Sequence, residues 1–179
     1  MKTNKNIKAI AKSIKDVNNF PRLGIVFKDV TPLLKNPKKF DLCINEMVKL
    51  LKNKKYDIVA GMESRGFWFA VPIAQKLGLG FVPIRKKNKL PRKVISTTYE
   101  LEYGFDTLCV HKDDIKKHQN VLVVDDVIAT GGTIIAVKKM FDKLGANFKD
   151  CLVIAELKSM NGKEKVKKVG VNLLSLIKM

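Results

Sequence analysis

Four short apolar runs, Asp57 to Ala60, Gly80 to Ile84, Val121 to Val124 and Cys151 to Ala155, alternate with segments of helical character around Gly66 to Leu77 and Thr133 to Leu144. Runs of this length, apolar without polar alternation, read as strands buried on both faces. The segments between them supply the crossovers of a parallel sheet. The class is therefore α/β, a central, mainly parallel sheet flanked by helices, with ligands expected outside the carboxyl ends of the strands. At 179 residues the chain suits one domain, 1–179, since domains run to roughly 100–200 residues. It shows no internal repeat, low-complexity tract or Ser/Gly linker.

Outside this alternation, Ile7, Ile10, Ala11, Ile14 and Val17 recur at helical spacing and predict an amphipathic helix over 4–18 with a Lys-rich outer face. Asn36 followed by Pro37 reads as an N-cap and first-turn proline, opening a helix that Phe40, Ile44, Met47, Val48 and Leu51 carry to about Asn53. GLGFVP at Gly78 to Pro83 lacks the third glycine of a dinucleotide loop and reads as a helix-ending turn. Between Arg85 and Asp106 the chain is polar, contains Pro91 and turns at Tyr103 and Gly104. Such an excursion, with a short hairpin in it, has the character of an active-site cover.

The net charge of +18 raises the question of a polyanionic partner. Its distribution answers for a solvated surface: 31 lysines are spread along the whole chain, against four arginines, Arg22, Arg65, Arg85 and Arg92. Forked recognition of phosphate and guanine is arginine chemistry, so no specific nucleic-acid partner is expected. No apolar stretch approaches the 18 residues of a membrane span, and the lysine-studded start lacks the apolar region of a secretory signal. A cytoplasmic protein without membrane attachment is expected. Cys43, Cys109 and Cys151 are far apart with apolar neighbours, and neither they nor His111 and His118 have metal-ligand spacing.

The sharpest site is VLVVDDVIATGGT, Val121 to Thr133. A strand runs into Asp125 and Asp126, then a loop of small residues, Ala129, Thr130, Gly131, Gly132 and Thr133, and then a helix. The glycines let backbone N–H groups converge, the helix start adds partial positive charge, and the two threonines offer hydroxyls. No GxxxxGK[ST] run is present, so this is not a Walker loop. Two carboxylates beside the cradle would repel a bare polyphosphate and suit hydroxyls or a cation instead. A sugar phosphate meets both demands.

This segment resembles the phosphoribosyl-pyrophosphate signature of the type I phosphoribosyltransferases. FPRLGIVFKDVTPLL, GMESRGFWFA, GFVPIRKKNKLP, YELEYG and ELKSMNG match in order the blocks of the adenine-using branch, so the resemblance covers almost the whole chain. It implies the type I fold with a small hood and a flexible loop, a homodimer, and transfer of phosphoribosyl from 5-phosphoribosyl 1-pyrophosphate to adenine, giving AMP and pyrophosphate in purine salvage.

The resemblance also implies roles. Asp125, Asp126 and Ala129 to Thr133 hold the ribose 5-phosphate. Arg65, Lys86, Lys89 and Tyr103 serve the pyrophosphate donor, and Mg2+ is held mainly through the substrate pyrophosphate rather than by a side-chain cage. Phe27 stacks on adenine, Met160 covers its other side and the Val26 backbone reads its edge. Glu102 is the candidate general acid or base. Asn88 stands where the family usually has Gly, and Asn tolerates a left-handed turn. Two other readings remain at this point: a transferase for hypoxanthine, guanine or xanthine, and a regulator that senses the same donor.

Overall fold

The apolar runs pair side by side in the computed structural model, which describes residues 5–100 and 104–179. Strands β3 (Ile58–Met62), β4 (Gly80–Lys86), β7 (Asn120–Ile128), β8 (Asn147–Glu156) and β9 (Asn172–Lys178) are parallel. At one edge β5 (Val94–Glu100) and β6 (Phe105–His111) add an antiparallel hairpin, giving the order β5-β6-β4-β3-β7-β8-β9. The Arg85 to Asp106 excursion is thus largely this hairpin. A separate two-stranded hood is formed by β1 (Lys15–Asn18) and β2 (Val26–Asp29).

Because strand side chains alternate, the central strands feed two cores. Val121 and Val123 of β7 and Cys151 and Val153 of β8 pack with α5 (Gly132–Leu144) and α6 (Gly162–Lys168). Leu122, Val124, Leu152 and Ile154 pack on the opposite face with α1 (Lys5–Ala11), α3 (Pro37–Lys49) and α4 (Arg65–Leu77). A short helix, α2 (Thr31–Leu34), joins the hood to this second face through buried Leu33. Having helices on both faces explains the unbroken apolar runs, which alternation could not have produced. All three cysteines are free and buried within these layers.

Local signals start and stop the helices. Asn36 caps α3 by accepting the Lys39 N–H at 3.0 Å, a contact worth about 1 kcal/mol. Left-handed Gly78 ends α4 and Gly145 ends α5. The helix α3 stops at Lys49 and the chain reaches Asn53 through turns.

The helix expected over 4–18 requires correction. The described part is helical only to Ala11; a tightened turn follows, in which Ile14 N–H donates to Ala11 O at 3.1 Å, and Lys15 to Asn18 leave as β1. Ile10 and Ile14 do share one core, so the helical spacing was real. What ends the helix is pairing with a distant segment, Val17 opposite Phe27, which no local periodicity records.

This topology fixes where a ligand belongs. Neighbours β3 and β7 run parallel, and the helices that follow them, α4 and α5, pack on opposite faces of the sheet. A crevice therefore opens at their carboxyl ends. Among the described residues no helix is long and apolar enough to cross a membrane.

Candidate active site

Both loops that leave this crevice carry the residues singled out by sequence. From β7 the strand continues past the two acids, pairing Val127 with Ala155 and Ile128 with Glu156, before the loop begins at Ala129. Gly131 takes φ +82°, a left-handed conformation that side chains resist, and a Cβ there would lie 2.9 Å from Val166 Cγ1 and 3.0 Å from Gly162 O. Its carbonyl accepts the Ile135 N–H at 3.1 Å, so the helix starts directly from the loop. The first-turn N–H groups of a helix have no intrahelical acceptors, which makes them donors for an anion.

Asp126 is 2% exposed and forms an ion pair with Arg65, Nε to Oδ2 3.0 Å, although no donor is aligned for a hydrogen bond to that oxygen. Asp125 Oδ1 accepts the Asp126 N–H at 2.9 Å. Burial, and then the charge of Asp126, push the Asp125 carboxyl well above its ordinary value; Asp126 is raised by burial and held down in part by Arg65. The start of α4 is pressed against the pair, since a Cβ on Gly66 would lie 2.7 Å from Val124 O and 3.1 Å from Asp125 Oδ1. Fixed acceptors in a shielded position are suited to hydroxyl donors, because they need no reorganisation when the ligand arrives.

The β3 side supplies cationic and aromatic groups. Arg65 opens α4 after a cis peptide between Glu63 and Ser64, and its Cζ lies 4.6 Å from the centroid of the Phe27 ring, which Phe20 meets edge-on at 5.1 Å. Arg65 thus touches both the hood and the acid pair. Glu63 accepts from Arg85 Nε at 3.0 Å and from the Lys86 N–H at 2.7 Å; the Arg85 bond, the largest influence, holds its carboxyl below the usual range. Lys86 reaches Asp106, Nζ to Oδ2 3.2 Å, and Lys89 follows the left-handed Asn88, φ +64°.

A cleft of about 810 Å³ lies between hood, loop and sheet. Val26, Ala129, Thr130, Gly132, Thr133 and Met160, all expected from sequence, line it together. Phe27, Arg65, Gly131, Asp125, Asp126, Lys86 and Lys89 are not part of this lining: Phe27 turns its ring toward Phe20 and Arg65, and Gly131 backs onto α6. Glu102 and Tyr103 lie outside the described residues.

Sequence reasoning gave no site role to Tyr99, Lys28 or Glu63. Tyr99 lines the cleft from β5, its phenol raised by burial and engaged with the Thr133 side chain. Lys28 also lines the cleft and pairs with Asp16 across the hood, 2.7 Å. The chain's folding brings these residues together; the sequence signal was that each lies within a quoted block, Lys28 in FPRLGIVFKDVTPLL, Glu63 in GMESRGFWFA and Tyr99 at the start of YELEYG.

Comparison with known proteins agrees with this fold. Residues 29–178 match the model of the phosphoribosyl transferase domain. A curated relative from Methanococcus vannielii, an adenine phosphoribosyltransferase, is 48% identical over 169 residues, 94% of this chain and 96% of its own. The crystal structure of adenine phosphoribosyltransferase from Thermoanaerobacter pseudethanolicus superposes with a TM-score of 0.93 at 43% identity, covering 97% of this chain and 99% of that one. The Saccharomyces cerevisiae enzyme, complexed with adenine and an imino-altritol bisphosphate, gives 0.90 at 35% identity, with 96% and 98% coverage.

Proposed function

Because this chain belongs to the phosphoribosyl transferase family, we infer that it is a glycosyltransferase of purine salvage: it moves the phosphoribosyl group of 5-phosphoribosyl 1-pyrophosphate onto N9 of adenine, giving AMP and pyrophosphate. The observation that carries this reading is the junction between β7 and α5. There two shielded carboxylates adjoin a loop whose Gly131 only glycine fills comfortably, at the strand end where the topology opens a crevice.

Displacement at a ribose carbon passes through an oxocarbenium-like state, with positive charge growing on the sugar and negative charge on the leaving group. The residues are distributed to match. Thr130, Thr133 and the start of α5 hold the 5-phosphate, and Asp125 and Asp126 accept from the ribose hydroxyls, fixing the sugar while its carbon reacts. Arg65, Lys86 and Lys89 face the departing pyrophosphate. For Arg65 this means exchanging Asp126 for a phosphate oxygen, so donor binding also alters the cover on the Phe27 ring.

Val26, Phe27 and Met160 form the adenine side of the reading. Stacking suits any purine, so discrimination belongs to hydrogen bonds along the base edge. Glu102 is assigned the proton on the purine imidazole ring, and Tyr103 a place on the donor. Closing the Arg85 to Gly104 excursion would exclude water, the competing nucleophile.

Magnesium fits this site as an ion carried in on the substrate. Among the described residues no cluster of His, Cys, Asp and Glu forms a cage, while hard oxygens of phosphate and of the hydroxyls gripped by Asp125 and Asp126 suit it. When bound, it neutralises charge on pyrophosphate. A homodimer belongs to the same reading, supported by Trp68 and Val71, exposed apolar residues one turn apart on α4. So does the cytoplasm, whose reducing conditions suit three free buried cysteines.

The test is incubation with adenine, 5-phosphoribosyl 1-pyrophosphate and magnesium, with hypoxanthine as the competing base. AMP and pyrophosphate are expected from adenine and no nucleotide from hypoxanthine. Nucleotide from hypoxanthine alone, or none from either base, overturns the assignment.

A further inference from the structure

The base side and the phosphate side of the cleft come from different stretches of chain, yet they are fastened together at both ends of one turn. At its start Leu157 donates its N–H to Ile128 O, 3.0 Å away at the foot of the phosphate loop. At its finish Gly162 lies so close to the same loop that a Cβ would stand 2.1 Å from the Ala129 carbonyl oxygen and 3.1 Å from its carbon. A reciprocal contact comes from Gly131, whose missing Cβ would meet Gly162 O at 3.0 Å. Asn161, at φ +55°, turns the chain so that Gly162 can open α6, which fully buried Val166 anchors. Between the two fastenings, Ser159 and Met160 line the cleft with Ala129 and Thr130.

The obstacle at Gly162 is backbone, which cannot rotate aside as a side-chain tip can. A methyl group placed there must part the turn from the loop by on the order of 1 Å before ordinary contact is restored. Each segment keeps its own ligand contacts through such a shift; what changes is their separation.

We propose that Gly162 is a positioning residue for phosphoribosyl transfer: lacking a side chain, it sets the spacing between the base-side turn and the phosphate loop, and with it the approach of the purine nitrogen to the ribose carbon. This rests on the transfer reaction inferred above. Reacting atoms must be held near 3–3.5 Å, and a misplacement of about 1 Å lowers rate by about a hundredfold.

Gly162→Ala tests it through ligands that load the two sides separately or together. Ribose 5-phosphate touches only the phosphate side, and its affinity by calorimetry is expected to stay within about threefold of wild type, as expected when its own contacts persist. AMP must reach both sides at once and should bind about tenfold more weakly, while kcat for AMP synthesis falls by about a hundredfold. An unchanged kcat, or equal weakening of ribose 5-phosphate and AMP, overturns the proposal.

Should Gly162→Ala fail to fold, Val166→Ala loosens the same junction without adding an atom. It is then expected to lower kcat by about threefold to tenfold with ribose 5-phosphate affinity retained, and an unaltered kcat refutes the role. Wild-type protein that makes no AMP defeats the underlying reaction. Wild-type turnover with an unaffected variant defeats only the part given to Gly162.

Discussion

The phosphate loop and the hood border one cleft but are held by different forces. The loop is enclosed by backbone and core: Gly131 against Gly162 and Val166, Gly66 against Val124, and the buried Asp126 behind it. The hood is a two-stranded hairpin with Phe20 and Val26 about half exposed and Leu23 almost fully so, held by ring contacts and the surface pair Lys28–Asp16. A pair whose carboxylate is more than half exposed contributes at most about 1 kcal/mol. On the proposed reading, the side that would grip an invariant group, a phosphate on a sugar, is tightly enclosed, and the side that would admit a flat base is lightly built.

The sharpest way to break this contrast is Gly131→Val. A β-branched residue at φ +82° is strained by about 1–3 kcal/mol, and its Cβ meets Val166 and the Gly162 carbonyl. AMP synthesis is expected to fall by more than about a hundredfold, because the cradle and the base-side turn are both displaced. The melting temperature should drop as well, so the fold does not escape untouched. Near-normal turnover would mean that the loop is as forgiving as the hood.

Asp125→Asn sharpens the same contrast through pH. The folded-state carboxyl is raised above the ordinary 3.8 by burial and by Asp126, so between those values the folded chain binds more protons than the unfolded one. Its contribution to stability is best below the ordinary value and is lost as pH rises through the raised one; at neutral pH, above the ordinary value, the buried acid is a net cost to the fold. Asparagine keeps the acceptor for the Asp126 N–H and drops the charge. At pH 7 the variant should melt higher than wild type, at about 2–4 °C per kcal/mol relieved, and the gap should close below pH 3.8. Turnover should nonetheless fall about tenfold to a hundredfold, the worth of one hydrogen bond to a charged acceptor. Equal melting at both pH values would show that the acid pair carries no penalty.

The same division explains what the sequence made legible. At β7, Asp125 to Thr133 and α5, chemistry and structure are written in consecutive residues: apolar run, acids, glycines, then helical periodicity. The caps at Asn36 and Gly78 were readable for the same reason. The hood was misread because Ile10 and Ile14 satisfy a helical pattern that the spacing of Val17 extends, while its true partner is Phe27 across a loop. Tyr99 reaches the cleft because β5 pairs with β6 at the sheet edge. Gly162 closes the ELKSMNG block, but its role was not legible there, since a glycine after Asn161 looks like any turn until the Ala129 carbonyl is found against it.

The mildest change belongs to the hood itself. Phe27 makes an edge contact with Phe20 and lies under the Arg65 guanidinium, interactions worth about 0.5–1 kcal/mol each at partly exposed positions. Phe27→Ala should therefore move the melting temperature by only about 2–8 °C. Its effect should appear in the base instead: losing an aromatic platform weakens stacking by about 1–3 kcal/mol, so KM for adenine rises about tenfold. Neither the affinity for ribose 5-phosphate nor kcat at saturating adenine should change much, because the loop that orients the sugar is anchored elsewhere. Steady-state kinetics with each substrate varied in turn separates these outcomes. A matching rise in KM for the pyrophosphate donor would show that Arg65, released from the ring, carries strain from the hood into the acid pair, and the two sides would then count as one coupled unit.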